Sequence, residues 1–191
     1  MKRIFKTSIV MAALAMTAAT AAAQTASAPQ AQTAAAADLD AKYASDLLAA
    51  GTAAPEISLN AIDGKPFRLS SLKGKYVVLD FWASWCPDCR KDAPAVIAMH
   101  KRYGAKGVEF VGVSFDRNAE SWKNGVAKLG IPYTQVSDLK NMRESSVAIN
   151  YHIKWIPSIY VIDPEGKVAL ATVMSDKVEA FLSSVYPDCA E

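Results

Sequence analysis

The run Tyr76-Val77-Val78-Leu79-Asp80-Phe81-Trp82-Ala83-Ser84-Trp85-Cys86-Pro87-Asp88-Cys89 decides the fold. Tyr76 to Phe81 has the β-branched and aromatic content of a buried strand, interrupted by one aspartate. The C-x-x-C that follows opens a helix. Both sulfurs therefore belong at a helix N-terminus, where unpaired N–H groups and the macrodipole stabilise a thiolate. An exposed, stabilised thiolate at Cys86 is a nucleophile. Cys89, one turn on and more shielded, is placed to resolve the mixed disulfide that Cys86 makes. The pattern is the minimal machinery for thiol–disulfide exchange.

Downstream, the helix is expected to run from Cys86 to about Tyr103, with Pro94 inside it to kink it. Val108 to Phe115 reads as a second buried strand. Glu120 to Leu129 reads as a helix stopped by Gly130, Tyr133 to Val136 as a short strand, and Asn141 to Asn150 as a short helix. Ser158–Ile162 and Val168–Thr172 flank Asp163-Pro164-Glu165-Gly166, an antiparallel hairpin signal. Asp176 to Tyr186 closes the domain as a helix with Val178, Phe181, Leu182 and Val185 on one side. Upstream, Ala54–Leu59 and Pro66–Leu69 flank Asp63-Gly64-Lys65, a second hairpin. Ser70 or Ser71 begins a helical turn that ends near Gly74. Leu39, Tyr43 and Leu47 predict a packing helix over Asp38 to Ala50, with Gly51 as its stop. A β-α-β unit followed by a hairpin and a helix makes an α/β sandwich around a mixed sheet.

The chain has 191 residues, three cysteines and a formal charge of +2. Lys2, Arg3 and Lys6 precede an apolar stretch from Ile9 to Ala18 and small-x-small sites at Ala19–Ala21 and Ala21–Ala23, the pattern of a cleavable signal peptide over residues 1–23. Its removal takes three cations away and moves the formal charge from +2 to −1. The apolar stretch is shorter than the roughly 20 residues a membrane span needs, so no insertion is expected after cleavage. No basic block remains to suggest nucleic acid or anionic lipid. Residues 24–37 read as a flexible linker, 38–51 as the N-terminal helix and 52–187 as the main domain. The chain is too poor in cysteine for a disulfide scaffold. His100, His152 and the remote Cys189 are too scattered for a zinc site, and no metal or cofactor is expected.

The active-site run resembles the corresponding segment of thioredoxin. Pro94 matches that family's helix-kinking proline, and Trp155-Ile156-Pro157-Ser158 is similar to its cis-proline segment. The upstream hairpin, Leu69-Ser70-Ser71-Leu72-Lys73-Gly74 and the extra helix and strand after Phe115 are more like the secreted TlpA/ResA branch, itself related to the AhpC/TSA redoxins. The likeness covers about residues 52–186. It implies a thioredoxin-like fold: a central mixed sheet flanked by helices, with an N-terminal β-hairpin extension and an insertion after the β-α-β unit.

The same resemblance implies a redox-active disulfide between Cys86 and Cys89, a cis bond before Pro157, and a backbone at Ile156 that pairs with a bound substrate strand. A passive clip is the bland alternative, but closing so short a loop removes little chain entropy. Asp80 is the proton acceptor for Cys89, because burial without a partner raises a carboxyl pKa toward neutrality. Trp85 with Pro87 and Asp88 lines the substrate surface, while Trp82 reads as partly core. Trp155 stands where thioredoxin has a small residue. It either narrows the groove, grips a partner, or is merely exposed. Asp88 opposes thiolate formation and favours a reductant over an oxidant. Expected partners are a disulfide-containing protein, apocytochrome c among the family's outlets, and a membrane thiol donor, in the periplasm or another exported location. A peroxiredoxin-like peroxidase is the first rival; it wants a hydroxyl three residues before its cysteine, where this chain has Ala83. A non-catalytic binding module on the same fold is the second.

Overall fold

The β-branched runs pair into one mixed sheet. In the computed structural model, which describes residues 38–189, the chain passes through α1 (Asp40–Tyr43), β1 (Ser58–Ala61), β2 (Pro66–Arg68), β3 (Val77–Trp82), α2 (Pro87–Tyr103), β4 (Glu109–Ser114), α3 (Ala119–Leu129), β5 (Thr134–Ser137), α4 (Ser146–Asn150), β6 (Ser158–Ile162), β7 (Val168–Thr172) and α5 (Ser175–Val185). The signal peptide and linker expected over residues 1–37 lie outside the described residues.

The strand order is β2-β1-β5-β4-β3-β6-β7. β3 and β4 are parallel and joined by α2, which the crossover requires. β6 runs antiparallel on the other side of β3 and carries β7 as a hairpin. Every residue of β3 and of β6 is buried, as central strands covered on both faces must be. Phe81 sits at the centre, ringed by Phe115, Tyr151 and Tyr160 at centroid distances of 5.3–6.1 Å. α2 turns Ala93, Val96, Met99 and Tyr103 inward, and α5 turns Val178 and Leu182 inward.

The expected hairpin extension and the expected insertion meet. β1 pairs with β2 across the Asp63-Gly64 turn and with β5, so the two additions extend one sheet. Gly64 takes φ +85°, the left-handed value that favours glycine.

Three elements differ from expectation: the strand expected over Ala54–Leu59 forms at Ser58–Ala61, the helix expected over Asn141 to Asn150 forms only at Ser146–Asn150, and the N-terminal helix is much shortened. The helix predicted over Asp38 to Ala50 forms only at Asp40–Tyr43. The backbone beyond it finds tertiary partners instead. The Leu48 N–H donates to the Tyr160 hydroxyl at 2.9 Å, and the Gly51 N–H donates to the Val168 carbonyl at 2.7 Å. The Asp40 carboxylate accepts from the Thr172 hydroxyl and the Val173 N–H, each at 2.8 Å. Helix periodicity was carrying packing information that irregular chain satisfies as well.

In the middle of β4, Gly112 faces the buried Gln135, whose amide oxygen accepts from the Trp82 indole N–H at 2.9 Å. A Cβ at 112 would overlap the Gln135 amide. Gly112→Ala should therefore destabilise the domain by about 1–3 kcal/mol, the usual cost of overpacking. Urea denaturation of the oxidised protein measures it; a change within error would show that Gln135 can move aside.

Candidate active site

Residues Ala83 to Trp85 carry the chain from the end of β3 to the start of α2. This loop is fixed from below by a buried carboxylate. Asp116, just past β4, accepts from the Ser84 N–H at 2.9 Å, the Ser84 hydroxyl at 2.7 Å and the Ser114 hydroxyl at 2.8 Å. The Arg90 guanidinium ties the loop from the helix side, donating to the Ser84 carbonyl at 3.0 Å. Gly125 of α3 lets the helix approach closely, since a Cβ there would come 2.5 Å from the Ser84 Cβ. Gly125 and Asp116 were not foreseen. Asp116 had only its place at the end of a buried strand to mark it.

Cys86 is the N-cap of α2, in extended conformation. Its sulfur accepts from the Cys89 N–H at 3.1 Å. Pro87 occupies the first helical position, where a missing N–H costs nothing. Asp88 follows, exposed in the first turn and 3.4 Å from the Lys91 ammonium. Cys86 and Cys89 are joined as a disulfide, with Cα atoms 5.3 Å apart.

The expectation that Cys86 faces solvent while Cys89 is shielded is not met. Each cysteine is 4% exposed. A loop from far along the chain helps close over Cys86. Its sulfur lies 3.7 Å from the Ile156 carbonyl oxygen, and the Ile156–Pro157 peptide bond is cis. Trp85, by contrast, is 56% exposed beside the cysteine. Trp82 is core, held by Gln135.

Asp80 lies on β3, between Gly112 of β4 and Ile159 of β6. It is buried but not alone, as the sequence reading had it. The Tyr133 hydroxyl donates to it at 2.9 Å. Burial pushes the Asp80 carboxyl up to about 7, the Tyr133 hydrogen bond opposes that rise, and the charge of Asp92 adds to it. The same burial and the facing Asp80 hold the Tyr133 phenol far above its ordinary value.

Asp92 was not foreseen either. It sits one helical turn beyond Cys89, and that spacing was the available signal. Its Oδ1 accepts from the Ser175 hydroxyl, and its Oδ2 is buried without a hydrogen bond. Burial raises its pKa, against the Ser175 bond, with Asp176 adding to the rise. Trp155 stacks on Tyr43 of α1, ring centroids 4.2 Å apart at 18°. Trp155, Pro157, Asp88 and Asp92 share one groove with Tyr43. His152 is outside this cluster, its Nδ1 3.1 Å from the Asp46 carbonyl. His100 packs edge-on against Phe110.

The family model described as the AhpC/TSA family matches residues 50–171. The chain belongs to the AhpC/TSA family. Within this AhpC/TSA chain, the thioredoxin domain of a thiol–disulfide oxidoreductase from Bacteroides vulgatus is matched at 34% identity and TM-score 0.64, covering 70% of this chain and 98% of that one. A thiol:disulfide interchange protein from a Bacteroides species is matched at 33% identity and TM-score 0.66, covering 72% and 90%. Thiol–disulfide oxidoreductase ResA of Bacillus subtilis is 29% identical over 143 residues, 73% of this chain and 78% of the relative. The fold is thioredoxin-like, and this AhpC/TSA member is a thiol–disulfide exchange enzyme.

The Asp80 environment fixes a pH dependence. Its folded pKa of about 7 stands above an unfolded value of about 3.9. Folding therefore favours its protonated form. The stability it contributes is full below pH ~4 and is lost as pH rises through 7. Three units correspond to about 4 kcal/mol as an upper figure. Asp80→Asn should remove that slope, leaving the variant more stable than the parent by roughly 2–4 kcal/mol at pH 8 and nearly equal at pH 4. Denaturant titrations at the two pH values measure the difference; parallel curves would mean that Asp80 ionises normally in the fold.

Proposed function

We propose that this enzyme reduces protein disulfides outside the cytoplasm, with Cys86 as nucleophile, Cys89 as resolving thiol and Asp80 as proton acceptor. The observation that carries the reading is the Cys89 N–H aimed at the Cys86 sulfur at 3.1 Å. That donor holds charge on Cys86 when it is reduced. The two cysteines are equally buried, so the support for Cys86 as nucleophile is the helix-start hydrogen bond and not exposure.

The Cys86 thiolate attacks one sulfur of the substrate disulfide. That S–S bond breaks, the other substrate sulfur leaves as thiolate, and a Cys86–substrate disulfide forms. The Cys89 thiol gives its proton to Asp80 and attacks the Cys86 sulfur. The intramolecular disulfide forms, and the second substrate thiolate leaves and is protonated. The substrate gains two electrons and the dithiol loses two. Of the two protons that the substrate thiolates take up, one comes back from Asp80 and the other comes from solvent, replacing the proton Cys86 gave up on becoming a thiolate. A carboxylate with a pKa near 7 accepts and returns a proton without a large barrier. Trp85, exposed beside the site, and the backbone at Ile156 next to the cis bond before Pro157 offer the substrate an apolar face and a strand partner. Apocytochrome c thiols are one candidate substrate class, and a membrane thiol donor would return the enzyme to its reduced form. Export is supported by the signal pattern over residues 1–23. Among the described residues no helix is long and apolar enough to cross a membrane.

Asp88, in the first turn, opposes the thiolate that the N–H donor favours. The reduction potential should lie nearer thioredoxin, at about −270 mV, than DsbA, at about −120 mV. Equilibration with glutathione buffers, followed by Trp85 fluorescence, gives the value. A result above about −160 mV would point to an oxidase or isomerase instead. Asp88→His should shift the potential upward.

Roles are separated by trapping. Cys89→Ser should accumulate disulfide-linked partners that a reductant releases, while Cys86→Ser should accumulate none. Partners caught only by Cys86→Ser would reverse the assignment. The peroxidase alternative predicts peroxide consumption by the reduced protein. With Ala83 in place of a hydroxyl residue, none above background is expected.

A further inference from the structure

The groove beside the disulfide has a wall that the family match does not include. Residues 50–171 carry the family resemblance. Tyr43 and Leu39 lie upstream of that span, yet both line the groove together with Trp155 and Pro157. The groove encloses about 480 Å³.

The wall is built. Asp40 accepts from the Thr172 hydroxyl, the Val173 N–H and the Lys177 ammonium at 2.7–2.8 Å. Lys177 also reaches Asp38 at 2.8 Å. These bonds fasten α1 to the end of β7 and the start of α5. In the cis-proline loop, the Trp155 carbonyl accepts from the Ser158 hydroxyl at 2.7 Å. The Tyr43 and Trp155 rings then meet nearly parallel, with centroids 4.2 Å apart. Leu39 is nevertheless 44% exposed and Trp155 38% exposed. Large apolar side chains left open next to reactive sulfurs mark a surface that something else covers. Holding them rigid in advance reduces the ordering cost of binding.

The rim is acidic. Asp88 and Asp176 are exposed along it, and Asp92 lies in its lining. Lys91 is the cation of the lining, and it leans toward Asp88 at 3.4 Å. Lys177, below, is already neutralised by Asp38 and Asp40.

We propose that the Tyr43–Trp155 wall and the Asp88–Asp176 rim select a polypeptide segment in which a large apolar residue and a lysine or arginine flank the target cysteine. The apolar residue packs on Trp155 and Tyr43, and its cationic neighbour faces the rim. This deepens the reductase reading and rests on it. It adds a sequence preference that the C-x-x-C and the cis-proline loop do not themselves contain.

Four disulfide-bridged peptides of equal length test it, with Phe-Lys, Phe-Glu, Gly-Lys or Gly-Glu beside one cysteine. The reduced full-length protein is assayed for kcat/KM on each, alongside dithiobis(nitrobenzoate), a small disulfide too compact to span the groove. Phe-Lys should exceed Gly-Glu by about tenfold at low salt, in keeping with one aromatic contact and one or two exposed charge pairs. Raising the salt should shrink the Lys:Glu ratio and spare the Phe:Gly ratio. Tyr43→Ala should cut the Phe:Gly ratio at least threefold, Tyr43→Phe should restore it, and Asp176→Asn should cut the Lys:Glu ratio. Equal turnover of all four peptides, or ratios that none of the variants moves, would overturn the groove and leave the reductase standing. Failure to turn over any peptide and the small disulfide alike would remove the reductase reading and this inference with it.

Discussion

A helix that starts on a sulfur needs help from elsewhere. Oxygen-bearing side chains are the usual N-caps, and a disulfide sulfur is a weak acceptor. Yet the Cys86 sulfur receives the Cys89 N–H and α2 begins there. Pro87 presets the first helical φ, and the buried stripe Ala93, Val96, Met99 and Tyr103 supplies the packing that the cap does not. The Asp116 cluster holds the preceding loop, so the helix start cannot drift away from the end of β3. Reduction then changes the strength of the cap. A thiolate is a full charge, and a hydrogen bond to a charge is roughly twice as strong as a neutral one. The same N–H that weakly caps the oxidised helix stabilises the reduced, reactive form. Fold and chemistry share one hydrogen bond.

Two carboxylates under and beside that helix start work against charge rather than for it. Asp80 and Asp92 are both raised by burial, and each makes only one side-chain hydrogen bond. The charge of Asp92 adds to the rise at Asp80, and that of Asp176 to the rise at Asp92. Under the proposed roles, a buried acid with a pKa near neutrality suits a proton acceptor better than a permanently ionised one.

Much of this was legible in the residues. Strands β3, β4 and β6 are short apolar runs between turn signals, and such runs have few alternatives. The C-x-x-C fixed the helix start because a strand ends immediately before it. The cis bond at Pro157 came from resemblance alone, since no local pattern distinguishes it. What could not be read was contact across long separations. Cys86 is buried in part by Ile156, 70 residues away, and local sequence carries no trace of that. Tyr133 reaches Asp80 across 53 residues, which turned an apparently unpaired acid into a bonded one. The shortened α1 failed for the same reason: its amides and its Asp40 were bid for by β7, Tyr160 and Lys177.

The charges on the exposed side of the first turn then set the balance. Asp88 places an exposed anion in the first turn of α2, while Arg90 brings a cation to the Ser84 carbonyl, two residues before Cys86. Asp88 and Lys91 form a loose pair with side chains 55% and 81% exposed, which water and salt weaken to little. Arg90 is exposed as well, and its tie to the loop is a single hydrogen bond to that backbone carbonyl. The start of α2 thus carries one N–H donor on the Cys86 sulfur and, farther out, exposed charges of both signs. Under the reductase proposal, the Cys86 thiolate should be stabilised enough to attack yet stop short of the strong stabilisation that makes a reduced dithiol reluctant to give up its electrons. A reductant needs that middle position, because it must both form a mixed disulfide quickly and let Cys89 displace the substrate from Cys86.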